Sequence, residues 1–165
     1  MTAPSALIAG AQIRVSSTLN RDVRSYGKQF LTDGSDETCW NSDQGSPQHI
    51  TIHFADNDSA ALAICELHLM FQGGFAGKEC TLLGQSATAT TDAGDDNNNN
   101  SDSAAAAWET LLDFYPVDAN HLQVFAAPDA VQTKTWKRLR VLFKTSTDFY
   151  GRITVYRLDV RGLPR

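Results

Sequence analysis

Two segments far apart in this chain alternate apolar and polar residues with a period of two, and few patterns restrict a fold more. Across 48–54, Ile50, Ile52 and Phe54 fall to one side and His49, Thr51 and His53 to the other. Across 136–143 the pattern returns, with Leu139, Val141 and Phe143 set against Lys137, Arg138, Arg140 and Leu142. Successive side chains of an extended chain point to opposite faces, so each segment reads as a strand with one face in a core and one in solvent. Further strands are expected at 11–16, 62–72 (Leu67, Leu69 and Phe71 inward), 78–83, 108–115, 121–125 and 152–162. Turns rich in Gly, Pro, Asp and Asn separate them, among them 55–59. Helical periodicity is nearly absent, apart from one turn expected at 28–31 in the polar stretch 17–31. About eight short strands of this kind predict an all-β, antiparallel jelly-roll β-sandwich.

A length of 165 residues fits one domain, taken as 11–165 with a flexible start at 1–10. Residues 85–107 interrupt it with Ser, Ala, Thr and Asp, a run of four Asn and a run of four Ala. Such a segment buries too little apolar surface to offset its ordering entropy, so a disordered insertion is expected there. It holds four Asp and no Lys or Arg, so the formal charge of −5 becomes −1 outside it. A near-neutral body predicts no direct binding of nucleic acid or anionic membrane. The three cysteines, 39, 65 and 80, form no Cys-x-x-Cys and no metal-ligand spacing. They read as reduced, small apolar side chains. With no charged-then-apolar leader and no run of membrane-spanning length, cytoplasm or nucleus is the expected location and membrane insertion is not expected.

The stretch from Asp33 to Gly45, DGSDETCWNSDQG, is the richest in local signals. Asp33-Gly34 is turn chemistry. Trp40 reads as a structural anchor plugging one end of the core, its indole N–H held by a loop carbonyl. Asn41, Asp43 and Gln44 either cap turns or form a polar binding edge. Phe75, at the tip of the glycine loop 73–77, either anchors an interface or folds back on the core. That loop follows a strand and opens no helix, so its glycines do not read as a phosphate loop. Asp113 or Asp148 is expected to hold a partly buried Arg152. His49 and His53 would stand roughly 13 Å apart on a strand and could not share a metal. No nucleophile–base arrangement or carboxylate pair stands out, and no enzyme is predicted.

The pattern Asp-Gly-(x)3-Thr-x-Trp at 33–40, with Tyr150-Gly151 and Leu158-x-Val160-x-Gly162 near the C-terminus, resembles the discoidin family (coagulation factor 5/8 type C domains), whose fold is the galactose-binding-like jelly roll. Within it, Cys39-Trp40-Asn41-Ser42-Asp43-Gln44-Gly45, Phe71-Gln72-Gly73-Gly74-Phe75, Asp113-Phe114-Tyr115-Pro116 and Thr147-Asp148-Phe149-Tyr150-Gly151-Arg152 resemble a small family of intracellular nuclear-receptor-associated proteins. That resemblance implies a non-enzymatic adaptor whose partner is a protein, a nuclear receptor or a multi-protein complex. The expected partner-binding surface is the loop end: Asn41, Asp43, Gln44, Gln72, Phe75, Tyr115, Phe149 and Arg152. Alternative readings are a carbohydrate or small polar ligand on the same loops, and a structural subunit that docks by its sheet face. Carbohydrate-binding discoidin relatives hold a structural calcium with the turn aspartate, turn carbonyls and a glutamate of the last strand, whose position is taken here by Arg157. Asp33, Asp36 and Thr38 remain as calcium candidates, and no cofactor is expected.

Overall fold

Ile50 and Ile52 have no exposed surface, and Phe54 next to them is buried. In a computed structural model, which describes residues 5–6, 8, 10–54, 62–86 and 107–164, this first alternating segment is β4, Gln48–His53. It lies between β2 (Gln12–Val15) and β9 (Trp136–Phe143). Beyond β9 come β6 (Cys80–Ser86) and β7 (Glu109–Phe114), giving one antiparallel sheet in the order β2-β4-β9-β6-β7. The second sheet centres on β5 (Leu62–Phe71), with β8 (Leu122–Ala126) on one side and β10 (Thr154–Pro164) on the other. The far edge of β10 takes two short strands, β1 (Ser5–Ala6) and β3 (Trp40–Asn41). One pair, Leu62 opposite Trp136, joins the sheets at a corner. The chain is the all-β jelly-roll sandwich that the alternation predicts.

Between the sheets the apolar faces meet: Leu67, Leu69, Phe71, Val155, Leu158 and Val160 from one, Leu82, Leu139, Val141 and Phe143 from the other. Phe143 sits at the centre of an aromatic group, edge-on to Phe71 at 5.8 Å and 6.5 Å from Trp40. Trp40 is wholly buried, and its Nε1–H donates to the Ser17 carbonyl at 2.9 Å, which fastens the wrapping segment 17–31 over the core. That segment contains the expected single turn at Lys28–Leu31, together with a turn at Leu19–Arg21 and a short helix α1 (Val23–Tyr26). A second short helix, α2 (Asp129–Gln132), breaks the connection expected at 128–135. Its Val131 is buried, and the Val131 carbonyl accepts the indole N–H of Trp136 at 3.1 Å, so the helix seats the second core tryptophan.

Two boundaries differ from expectation. Gln85 and Ser86, assigned by composition to the insertion, continue β6 and pair with Arg138 and Trp136. Gln85 is buried there, so a polar side chain completes the strand rather than ending it. Ser5 and Ala6, within the start expected to be flexible, pair with Gly162 and Arg161 of β10. The turn at 55–59 and residues 87–106 of the insertion lie outside the described residues. Among the described residues no helix is long and apolar enough to cross a membrane.

Candidate functional site

Antiparallel pairing brings the loops after β3, β5, β7 and β9 to one end of the sandwich: Gln48 opposes Phe143, Cys80 opposes both Phe143 and Phe114, and Phe71 opposes Val155. These loops are laced together by hydrogen bonds. The Ser42 hydroxyl, buried, accepts from Ile153 N at 2.8 Å, while Ser42 N donates to the Ile153 carbonyl at 2.8 Å. Gln48 is buried at the base, where its Oε1 accepts the Ser16 and Ser17 hydroxyls and its Nε2 donates to the Gly45 carbonyl at 2.9 Å. Thr154 N donates to the Phe75 carbonyl at 3.0 Å, and Ala76 N to the Thr147 hydroxyl at 3.0 Å. Gly73 N and Gly74 N donate to the side chains of Asn120 and Asp118 at 2.6 and 2.7 Å, tying the glycine loop to the one after β7. Gly45 N donates to the Tyr150 carbonyl at 2.7 Å. Gly151 makes this contact possible: its φ is +82°, and a Cβ there would stand 2.8 Å from the Gly45 carbonyl oxygen.

On this framework sits an aromatic cluster gripped by one arginine. Arg152 meets Asp148 in a fork, Nε to Oδ2 at 3.0 Å and Nη2 to Oδ1 at 3.3 Å. Of the two carboxylates expected as its partner, Asp148 serves; Asp113 accepts the Thr81 hydroxyl at 2.7 Å instead. Hydrogen bonding from Arg152 draws the Asp148 carboxyl below the usual aspartate range, and the same bond raises the Arg152 pKa. The guanidinium carbon lies 5.1 Å from the Phe75 ring centre and 5.7 Å from that of Tyr150. Phe149 packs edge-on against Tyr150 at 5.4 Å yet is 94% exposed, and Tyr150 is 59% exposed. A phenylalanine so open, packed against a tyrosine that a fixed cation braces in turn, is a ready contact for another surface.

The expected surface residues divide into two groups. Phe75, Arg152 and Phe149 belong to the cluster, and Tyr115, 70% exposed, stands on the neighbouring loop. Asn41 is spent internally: its carbonyl accepts the Thr154 hydroxyl and its amide reaches Cys39 Sγ. Asp43 is half-buried, and its backbone carries the local bonds, N to Ser17 Oγ at 3.0 Å and O from Gln48 Nε2 at 3.3 Å. Gln72 uses its backbone to pair with Thr154, and Gln44 is exposed on the Gly45 side. Sequence reasoning missed Tyr150 as a member of the cluster, although it neighbours Phe149. It also missed an apolar strip along β8, Leu122 and Val124 with nearby Val117, all exposed. Alternation about the buried Gln123 was the available signal.

The calcium implied by the discoidin resemblance does not fit the residues present. Arg157 reaches from β10 into the Asp33–Asp36 turn, its Nη2 donating to the Gly34 carbonyl at 2.9 Å and its Nε 2.5 Å from Asp36 Oδ1. Thr38 turns its hydroxyl onto Asp33 Oδ2, which, more than the nearby Arg157 charge, holds the Asp33 carboxyl low. A fixed cation therefore already neutralises the turn oxygens that a divalent ion would need.

No protein-family model matches the chain. Three relatives named "Nuclear receptor 2C2-associated protein" are similar along nearly its whole length. The Xenopus laevis protein is 45% identical over 158 residues, 96% of this chain and 98% of that one. The Danio rerio protein is 42% identical, covering 97% and 96%, and the Homo sapiens protein 39%, covering 90% and 89%. Solved structures share the fold at low identity. An F5/8 type C domain from Bacteroides fragilis superposes with a TM-score of 0.71 at 12% identity, over 98% of both chains. A chitosan-binding module from a Paenibacillus sp. IK-5 chitosanase/glucanase gives 0.65 at 18%, over 94% and 98%. A family 32 carbohydrate-binding module of Clostridium perfringens NanJ, solved with galactose, gives 0.65 at 10%, over 96% and 98%.

Proposed function

Because the chain belongs to the nuclear receptor 2C2-associated protein family, we propose that it is a non-enzymatic adaptor that binds a nuclear receptor through the loop end of its sandwich. The carrying observation is the cluster Phe149–Tyr150–Arg152–Phe75, exposed at its tip and fixed at its root by the Asp148 fork. Aromatic and arginine side chains dominate binding energy at protein interfaces, and loops already held by hydrogen bonds lose little entropy when a partner docks. A location in cytoplasm or nucleus goes with this reading. The fold neighbours that bind sugars suggest a second use of the same loops, with Phe149 or Tyr150 stacked on a sugar face.

The test is co-purification of nuclear receptor 2C2 with the tagged protein, beside a Phe75→Ala/Phe149→Ala/Arg152→Ala variant that melts as a folded domain. Receptor recovered with the wild type and lost with the variant supports the loop-end adaptor. Receptor recovered equally with both moves the contact off the loops. Saturable binding of galactose or chitotriose by the wild type, with no receptor recovered, would replace the adaptor with the glycan reading.

A further inference from the structure

The outer face of the first sheet carries a groove of about 300 Å³ on the β2, β4 and β9 surface. Arg14, Arg138, Arg140, His49, His53 and Trp108 line it, and among the described residues no carboxylate does. Register explains the convergence: Arg14 opposes Thr51, which opposes Arg140, while His53 opposes Arg138. Three arginines from two strands thus share one face of the pleat. Arg140 is fixed in place, its Nε donating to Thr51 Oγ1 at 3.0 Å and its guanidinium 4.5 Å from the Trp108 ring centre. Partial burial there pulls its pKa down, so this cation is held at some cost in solvation. The side chains of Arg14 and Arg138 form no hydrogen bond or ion pair with any described residue. His49 Nδ1 is buried without a hydrogen-bond partner among the described residues, and burial, then the Arg140 charge, keeps the ring neutral to lower pH than usual.

A sheet face with this purpose only for solvation would mix signs, as ordinary surfaces do. Here positive charge is concentrated without a counterpart among the described lining residues, on a domain whose charge outside residues 86–107 is −1. A net-negative body suits poorly a polyphosphate, whose binding depends on long-range positive field. It suits better a short partner whose anions match the local spacing. Arg138 and Arg140 lie two residues apart on one strand, roughly 6.6 Å, and Arg14 stands about 10 Å across from Arg140. Alternate side chains of an extended peptide repeat at that same roughly 6.6 Å interval.

We propose that this groove binds an extended acidic segment of a partner protein. Carboxylates at alternate positions meet Arg138 and Arg140 in charge-assisted hydrogen bonds, and a further one reaches Arg14. The groove shares no lining residue with the loop-end cluster of Phe75, Phe149, Tyr150 and Arg152.

The experiment is fluorescence anisotropy of a dye-labelled (Glu-Thr)4 peptide with the full chain at low salt. Saturable binding that weakens as salt rises, and that falls about tenfold in Arg14→Gln/Arg138→Gln, is the expected result. Those two side chains have no hydrogen-bond or ion-pair partner among the described residues, and the variant is expected to melt like the wild type. The loop-end triple variant should bind the peptide as the wild type does, which separates this site from the proposed receptor contact. Failure of the wild type to bind, or equal binding by the arginine variant, overturns the proposal. Tighter groove-dependent binding of a single-stranded oligothymidine than of the peptide overturns it in favour of nucleic acid.

Discussion

If Arg157 stands where a calcium ion would otherwise gather the Asp33–Asp36 turn, removing it should loosen that turn by a calculable amount. Its side chain is 43% exposed and that of Asp36 56%, so the ion pair is screened and is worth about 0.5 kcal/mol. The bond to the Gly34 carbonyl adds about 1 kcal/mol, the usual net value of an intramolecular hydrogen bond. Arg157→Ala should therefore lose about 1.5 kcal/mol, which in a domain of this size lowers Tm by about 3–6 °C. Arg157→Glu should fall further, because a new carboxylate then faces Asp36 with no cation between them. Millimolar calcium should restore part of that loss in the glutamate variant and leave the wild type unmoved. Differential scanning fluorimetry of the three proteins, with calcium and with EDTA, reads all of this in one plate. The reasoning fails if calcium raises the wild-type Tm, or if Arg157→Ala melts with the wild type.

Three further outcomes follow from the same packing. Trp40→Ala should cost about 3–5 kcal/mol in urea unfolding, and Trp40→Phe about 1–3 kcal/mol because the Ser17 carbonyl loses its donor; equal stability of the phenylalanine variant would deny the indole its anchoring role. The Asp148 carboxyl sits below its ordinary value of 3.8 mainly through its hydrogen bond with Arg152, so its contribution is complete above that value and disappears as pH falls through the depressed folded value. The Tm gap between wild type and Asp148→Asn should accordingly be widest near neutrality and close in acid, and a gap independent of pH would contradict the pairing. Burial, with a smaller push from Glu79, drives the Cys80 thiol up to about 12, Cys39 is raised by burial too, and Cys65 is buried. Ellman's reagent at pH 8 should react slowly with the native protein and rapidly with all three thiols once urea unfolds it.

What was legible in the sequence was whatever a single strand can announce by itself. Ile50, Ile52 and Phe54 state their burial through alternation, and Trp40 states its own through size and position. The Asp148–Arg152 pair was within reach because its partners are four residues apart. Gln85 and Ser86 were misread because composition registers a polar residue without registering the strand that satisfies it. The lacing of the loop end was hidden for a related reason. Ser42 and Gln48 are polar yet buried, and they bond to Ile153 and to Ser16, 111 and 32 residues away, separations that no local pattern encodes.

The basic groove makes the same point about charge. Alternation says that Arg138 and Arg140 face outward, and Arg14 sits in a strand of its own more than a hundred residues earlier. Only the pairing of β2 with β4 and of β4 with β9 puts the three on one surface, and only Trp108 at its edge holds one of them half out of water. A near-zero balance outside the insertion is thus compatible with a strongly polarised face, because net charge sums over the molecule while a ligand samples a few ångströms of it. Two surfaces of unlike chemistry follow, an aromatic–arginine tip on the loops and a cationic groove on the sheet.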